Sequence, residues 1–266
     1  MLNSHYLAGF WEGNGHISFP LHQNPRFCIT THLKNEPWLL SVQESFGSYG
    51  FIRKHLPTHT LVLIISNLKG LNNVIQKLHG KLKTPKIEQF KKMEKWMKKN
   101  SEGHREESNR NDAFQNYWLS GFIDADGGFY IKYKKTKTGI RVGARFTLEK
   151  KTVDRDGVSY ETIINNIVHF LECKKYLVTK KNGQTYYNIT SNSIDSVSIL
   201  IQYLDKYPLK TSKYLDYQSF KQVAILIRNK DVQNNLEIIK YLKRGMNNSR
   251  TDFIWGHLQQ GVNNGI

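Results

Sequence analysis

The chain has 266 residues, with 39 lysines and arginines against 22 aspartates and glutamates, a formal net charge of +17 and a pI of about 9.7. At 39% hydrophobic and 12% aromatic residues it can bury a core, which excludes a disordered chain, and the charge favours a polyanionic partner, nucleic acid first. With no run of about 18 apolar residues and no basic, cleavable start, it predicts neither a membrane span nor a signal peptide.

The predicted elements follow the order αββαββαα twice. The first unit has a helix at 3–13, strands at 15–22 and 26–34, a helix opened by Pro37, strands at 49–55 and 60–66, and helices at 68–79 and 85–98. The second has strands at 128–135 and 140–149, a helix at 159–172, strands at 175–180 and 185–190, and helices at 194–205 and 211–227. This order predicts an α+β fold, with two antiparallel sheets covered by helices on one face.

Two pairs of similar segments indicate an internal duplication. Residues 7–15 read LAGFWEGNG and residues 119–127 read LSGFIDADG, while a later pair reads LKTPK at 82–86 and LKTSK at 209–213. Residues 98–112 are polar and dense in charge, as is typical of a linker. We therefore predict a first repeat at 1–97, a linker at 98–112, a second repeat at 113–228 and a C-terminal extension of that repeat at 229–266.

Small residues recur at helical spacing in both nonapeptides. Gly9 and Gly13 are four residues apart, as are Gly121 and Ala125, so each pair shares one helix face. Small side chains allow a second helix to approach closely. Because the pattern occurs twice, we predict that the two motif helices pack against each other.

The last two residues of each nonapeptide form a helix end. Gly15 and Gly127 stand where a left-handed helix cap favours glycine, which places Asn14 and Asp126 at the helix C-termini. Paired helices would bring these two residues together among free carbonyl groups. A carboxylate in that position makes an oxygen-rich site suited to Mg²⁺.

The two nonapeptides, the repeated element order, the linker and the charge resemble single-chain LAGLIDADG homing endonucleases with two motifs. The resemblance implies pseudo-symmetric αββαββα repeats with the motif helices at their interface and the two antiparallel sheets forming a DNA-binding saddle. It implies a monomer that hydrolyses phosphodiester bonds at a long, asymmetric double-stranded DNA site with Mg²⁺ or Mn²⁺, whereas Ca²⁺ would bind without supporting cleavage. The site residues that it implies are metal ligands at Asp126, Asn14, Gly13 and Ala125, and basic partners at Lys86 and Lys213.

The first motif departs from the family pattern at Asn14, where an acid is expected. A neutral amide cannot supply the charge of a carboxylate. Three interpretations stay open: a natural variant that nicks or only binds DNA, a maturase that binds its host intron RNA, or a substitution introduced to hold uncut DNA. In each case we predict a damaged first centre and no efficient double-strand cleavage.

Strand alternation predicts the nucleic-acid face. In the first unit Ile17, Phe19 and Leu21 face the helices, and alternate polar residues face away. Polar and cationic side chains on a β-ribbon suit the major groove and its phosphates. The predicted DNA contacts are His16, Ser18, His22, Arg26, Cys28, Thr30, His32, Arg53, Lys54, Tyr130, Lys132, Lys134, Arg141, Gly143, Arg145, Thr147, Lys180 and Asn188.

The remaining composition bears on origin. Cys28 and Cys173 are far apart in the sequence, which predicts reduced thiols in an intracellular compartment and no cysteine-based zinc site. The abundance of Lys, Asn and Ile resembles proteins of AT-rich organelle genomes. We therefore predict a mitochondrial, intron-encoded protein.

Overall fold

The computed structural model describes residues 1–100, 114–137 and 139–258, and the chain divides into two compact units. The first contains Met1–Ala125 and the second Asp126–His257. Of the predicted linker, residues 98–100 end a helix and 101–112 lie outside the described residues. The repeat boundaries at 97 and 113 stay predictions. Within the described residues no helix has the length and apolarity needed to cross a membrane.

The first unit contains one four-stranded antiparallel sheet and its helices. The elements are α1 Ser4–Asn14, β1 Gly15–Ser18, β2 Arg26–His32, α2 Glu36–Ser45, β3 Phe51–His55, β4 Thr60–Ile65, α3 Leu68–Leu78, α4 Ile87–Asn100 and α5 Trp118–Asp126, the last residue of which belongs to the second unit. The strand order is β1-β2-β4-β3. Helix α1 begins where the Asn3 side chain accepts hydrogen bonds from the backbone amides of His5 and Tyr6.

The core of the first unit lies between the helices and one face of its sheet. Phe27 and Ile29 alternate with more polar residues along β2, and both are fully buried. Trp11 of α1 stacks on Phe27, and Phe10 packs on Trp38 of α2. The large aromatic side chains therefore fix α1, which carries the first motif, against the sheet.

The second unit repeats this order. Its elements are β5 Gly127–Thr136, β6 Gly139–Lys151, α6 Glu161–Phe170, β7 Lys174–Thr179, β8 Thr185–Ser191, α7 Ile194–Lys206, α8 Lys213–Arg228 and α9 Leu236–Arg244. The strand order β5-β6-β8-β7 matches that of the first sheet. Phe129 of β5 packs against Phe146, Tyr217 and Phe220, which seats α8 on the sheet. The predicted α+β fold with two antiparallel sheets and the repeated element order is confirmed.

The β5–β6 hairpin is much longer than its counterpart in the first unit. Strands β5 and β6 pair from Gly127 opposite Leu148 to Thr136 opposite Gly139, whereas β1 and β2 pair over only four positions. The C-terminal extension supports this hairpin, because the Gln233 side chain donates to the Ile140 carbonyl and α9 packs on β5. The second repeat thus presents the larger strand surface.

Candidate functional site

The two motif helices lie in backbone contact. A Cβ atom on Gly9 would lie 1.9 Å from the Trp118 carbonyl oxygen, and one on Gly121 would lie 2.0 Å from the Tyr6 carbonyl oxygen. No larger residue fits at either position without separating α1 from α5. The predicted close packing of the motif helices is confirmed at these two glycines.

The glycine that follows α1 is required for a different reason from the one predicted. Gly15 has φ −107° and ψ 169°, so the left-handed cap predicted there is wrong. Gly127 opens β5 and also lacks a positive φ. A Cβ atom on Gly15 would lie 2.1 Å from the Trp11 indole, so the large buried ring leaves room only for glycine.

Asn14 ends α1 and is exposed. Its side-chain Nδ2 donates a hydrogen bond of 3.3 Å to the carbonyl oxygen of Ala125. A carboxylate could not donate this bond. The two predicted ligands Asn14 and Ala125 therefore contact each other, and their metal role stays a prediction.

Lys86 places its ammonium at the C-terminal end of α1. It is the last residue of the 82–86 segment, directly before α4, and donates to the carbonyl oxygens of Trp11 at 3.4 Å, Gly13 at 3.2 Å and Gly15 at 2.6 Å. The cation satisfies acceptors that the helix leaves free and opposes their partial negative charge. Two predicted site residues, Lys86 and Gly13, are thus brought together.

Glu12 is the structural acid of the first motif. Its fully buried carboxylate accepts from the backbone N–H groups of Lys83 and Thr84, from the Thr84 hydroxyl and from the Trp118 indole, at 2.6–2.9 Å. Burial raises the pKa of Glu12, and these donors partly oppose the rise. This carboxylate holds the segment that leads to Lys86 against α1.

Asp126 ends α5 and is bound to a lysine that sequence reasoning missed. Lys150 Nζ lies 2.6 Å from Asp126 Oδ2, with 10% and 15% of the two side chains exposed. Lys150 lies on the same face of β6 as Phe146 and Leu148, which point into the core. A charged residue at the end of this apolar row was the sequence signal that could have identified Lys150 as a site residue. Lys213, the predicted second basic residue, opens α8 and is half-buried.

These residues fit a cation that is completed by substrate and water. Among the residues that the structure describes, no group of three or more His, Cys, Asp or Glu side chains could hold a metal ion. Mg²⁺ needs no such cage, because it keeps several waters and commonly takes one or two carboxylates with substrate phosphates. Asp126 would supply one carboxylate to such a cation.

Strand β1 is shorter than predicted, which changes three assignments. It ends at Ser18, opposite Arg26, so residues 19–25 form the connecting loop. Phe19 and Leu21 are 44% and 86% exposed, and their predicted place on the apolar face is wrong because no paired strand holds them there. His22, with φ 55°, lies in this loop rather than on the sheet.

Most other predicted contacts of the first sheet lie in register on its outer face. The pairs are His16 opposite Cys28, Ser18 opposite Arg26, Thr30 and Arg53 each opposite Val62, and His32 opposite Thr60. Cys28 is only 4% exposed, and burial raises the pKa of its thiol. Lys54 lies opposite the buried Leu61 and pairs with Glu36 at 2.6 Å, so it projects away from Arg53.

The outer face of the second sheet is more cationic. Tyr130 lies opposite Arg145, Lys132 opposite Gly143, Lys134 opposite Arg141, and Glu149 opposite Asn188. Arg145 Nη2 donates to the Thr190 hydroxyl at 3.4 Å, which donates to Asn188 Oδ1 at 3.1 Å. Lys180 pairs with Glu149 at 2.5 Å and lies 4.0 Å from the Tyr186 ring centroid.

This second face is therefore an ordered polar array on one side of the sheet. Thr147 lies opposite Thr190 and continues the same row. The sequence did not predict Thr190 and Tyr186 as members of this face, because the face on which β8 residues lie follows from the register of β8 with β6. The roles of the whole set as DNA contacts stay predictions.

Comparison with known proteins gives a match over most of the chain. The family described as LAGLIDADG endonuclease matches residues 7–97 and 119–224. An uncharacterized cox1 intron-2 protein of 37.2 kDa from Schizosaccharomyces pombe is 27% identical, over 84% of this chain and 66% of the relative. The intron-encoded DNA endonuclease aI3 of Saccharomyces cerevisiae is 25% identical, over 96% of this chain and 72% of the relative. The chain thus spans about two thirds of the length of the first of these and somewhat more of the second.

Solved structures share the fold. The I-SmaMI LAGLIDADG homing endonuclease bound to cleaved DNA superposes with a TM-score of 0.76 at 21% identity, covering 94% of this chain and 99% of that chain. The same protein bound to uncleaved target in the presence of calcium ions gives a TM-score of 0.71 at 21% identity, covering 92% and 99%. At this identity the likeness shows the fold alone.

Proposed function

Because the chain belongs to the LAGLIDADG endonuclease family, we propose that it is a site-specific homing endonuclease acting on a long, asymmetric double-stranded DNA target. It hydrolyses phosphodiester bonds with a divalent metal, Mg²⁺ or Mn²⁺, and nicks one strand instead of cutting both. The observation that carries this proposal is the contrast between the two motif ends. Asp126 is a carboxylate held beside Lys150, whereas Asn14 is an amide that donates to a carbonyl.

The chain's own residues supply orientation and charge. A bound divalent cation supplies an activated water and stabilises the charge that develops on the phosphate. Asp126 would hold that cation, with the Ala125 carbonyl as its neighbour in sequence. Lys86 sits at the end of α1, where a positive charge beside a scissile phosphate stabilises developing negative charge. The similarity of residues 209–213 to residues 82–86 supports the same role for Lys213 in the second repeat.

Asn14 weakens the first centre in this scheme. Its amide oxygen can coordinate a cation but brings no negative charge. Lys86 already places one positive charge at the end of α1, so a divalent cation there would meet repulsion that a carboxylate at position 14 would offset. The Asp126 centre keeps its acid, and single-strand cleavage follows.

A plasmid assay tests the proposal. Supercoiled plasmid bearing a site selected from a random duplex library is incubated with the protein and Mg²⁺, and nicked and linear forms are counted over time. We expect nicked circles from the wild type, no cleavage by Asp126→Asn, and gain of linear product by Asn14→Asp. Rapid linearisation by the wild type would overturn the damaged first centre. Specific duplex binding without nicking in Mg²⁺ or Mn²⁺ would show that the protein binds DNA without cleaving it. Preference for intron RNA over duplex DNA would show that it is a maturase.

We further propose that the protein is encoded in a mitochondrial intron and acts as a monomer. The similarity to an intron-encoded DNA endonuclease and to a cox1 intron protein supports the origin. Two repeats within one chain support the monomer, because both motif helices come from the same polypeptide. Light scattering of the complex with one duplex tests the stoichiometry: two chains per duplex would contradict it.

A further inference from the structure

The two similar segments at residues 82–86 and 209–213 differ at one position, and that residue affects the freedom of the backbone. The first is Leu82-Lys83-Thr84-Pro85-Lys86, and the second has Ser212 where the first has Pro85. Proline fixes φ near −65° and thereby reduces the freedom of the turn before Lys86. Serine gives no such restraint, although the second turn precedes the matching lysine, Lys213.

His257 supplies a restraint on the second turn instead. Its Nε2 lies 3.1 Å from the Lys210 carbonyl oxygen and 3.2 Å from that of Thr211. Carbonyl oxygens only accept, so Nε2 carries the proton and donates. The ring is 7% exposed and stacks on Tyr214, with centroids 4.4 Å apart and planes inclined by 14°.

The turn that His257 holds directly precedes α8, which begins at Lys213. The Thr211 carbonyl also accepts from Tyr214 N at 3.1 Å, and the Thr211 hydroxyl accepts from Lys213 N at 3.2 Å. A side chain that holds the Thr211 carbonyl therefore fixes the first turn of the helix. The direction in which Lys213 leaves that turn depends on it.

The segment that delivers His257 is itself anchored on α8. Asp216, which is buried, accepts from the backbone N–H of Asn247 and from Arg250 Nε, both at 3.1 Å. Removing one partner of such an ion pair is costly, because it leaves the other charge buried and unpaired. The chain from Asn247 to His257 is thus tied to α8 at both of its ends.

We propose that His257 is a positioning residue for the second catalytic centre. It clamps the Lys210–Ser212 turn and aims Lys213, the task that Pro85 performs for Lys86 in the first repeat. The proposal rests on the proposed function, because it takes Lys213 to act on the scissile phosphate. Misplacing such a group costs on the order of ten- to a hundredfold in rate.

The test combines two replacements of His257 with one compensating change. We expect His257→Ala to lower the single-turnover nicking rate constant at saturating protein by about tenfold or more while the Kd for duplex DNA is unchanged. His257→Gln keeps an N–H donor and should retain most of the rate. Ser212 has φ −56°, which suits proline, so adding Ser212→Pro to His257→Ala should restore the rate by copying the first repeat.

Hydrogen exchange provides a readout that needs no cleavage. In His257→Ala the amides of residues 213–215 should exchange at least about tenfold faster, while those of α9 stay as in the wild type. Unchanged exchange at 213–215 would overturn the clamp, as would a rate loss that Ser212→Pro fails to rescue. If the wild type does not nick, the proposed function has failed, and the exchange measurement alone decides the clamp.

Discussion

Glu12→Gln tests whether the buried acid of the first motif is structural. The carboxylate has donors on both oxygens: Oε1 faces Thr84 N and the Thr84 hydroxyl, and Oε2 faces the Trp118 indole, while Lys83 N reaches both. An amide replaces one acceptor by an NH₂ group. In either orientation that group meets a buried N–H, either that of Thr84 or that of Trp118.

The cost follows from that unpaired donor. One buried unsatisfied donor costs roughly 1–3 kcal/mol, and the remaining bonds lose their charge assistance. Removing a buried charge recovers part of the desolvation penalty. We therefore expect Glu12→Gln to lower the free energy of unfolding by about 2 kcal/mol near neutral pH.

Urea denaturation followed by tryptophan fluorescence measures the change. Glu88→Gln is the matched control, because Glu88 lies exposed on α4 in the same unit and pairs with Lys91 three residues on. It should cost less than about 0.5 kcal/mol. Equal effects of the two substitutions would refute the structural role of Glu12.

The pH dependence of the same difference provides a second check. The pKa of Glu12 is raised in the folded state. When the pKa of a carboxyl group is higher in the folded state than in the unfolded state, the protein becomes less stable as the pH rises from the unfolded-state pKa through the folded-state pKa. Glutamine does not titrate, so the Glu12→Gln variant lacks this contribution. The stability difference between wild type and Glu12→Gln should therefore shrink as the pH rises from 4.5. A difference that widens would show that the donors outweigh burial.

Three further substitutions or modifications probe other parts of the site. Gly9→Ala should destabilise the protein in thermal melting by about 2 kcal/mol or more, because its Cβ would meet the Trp118 carbonyl, whereas Gly245→Ala, whose nearest neighbour is 3.8 Å away, should have little effect. Lys150→Met should tighten Mn²⁺ binding measured by calorimetry about tenfold, since Asp126 loses a competing cation; weaker binding would show that Lys150 supports the metal. Burial raises the pKa of Cys173 to about 11, so a thiol reagent at pH 8 should leave it unmodified until the protein unfolds.

Local sequence patterns predict the elements well because each depends on neighbouring residues. Two-residue alternation identifies the strands, and helical spacing identifies the glycine faces of α1 and α5. The extent of β1 could not be predicted, because it is set by where β2 begins to pair. Phe19 and Leu21 continue the alternation yet have no partner strand, so pattern alone extends β1 by several residues too many.

The residues that sequence reasoning missed act over long sequence separations. Lys150 follows Asp126 by 24 residues, and His257 follows Lys210 by 47. Neither belongs to a motif, and each becomes meaningful only when pairing of β5 with β6, or packing of the extension on α8, brings it to its partner. Gly15 was placed correctly but for the wrong reason, because the Trp11 indole that excludes a side chain is a tertiary neighbour.

Positions 12 and 14 of the first motif differ in their importance for folding. Glu12 is fully buried and accepts hydrogen bonds from Lys83, Thr84 and Trp118, so the fold depends on an acid there. Asn14 is exposed, and its side chain donates a hydrogen bond of 3.3 Å to Ala125, so we expect its replacement to change the stability of the fold little. Under the proposed function, an amide in place of an acid at position 14 removes charge from the first centre at little cost in folding free energy. The proposed nicking activity is therefore compatible with an intact fold, because folding does not depend on the residue that would lower metal affinity at the first centre.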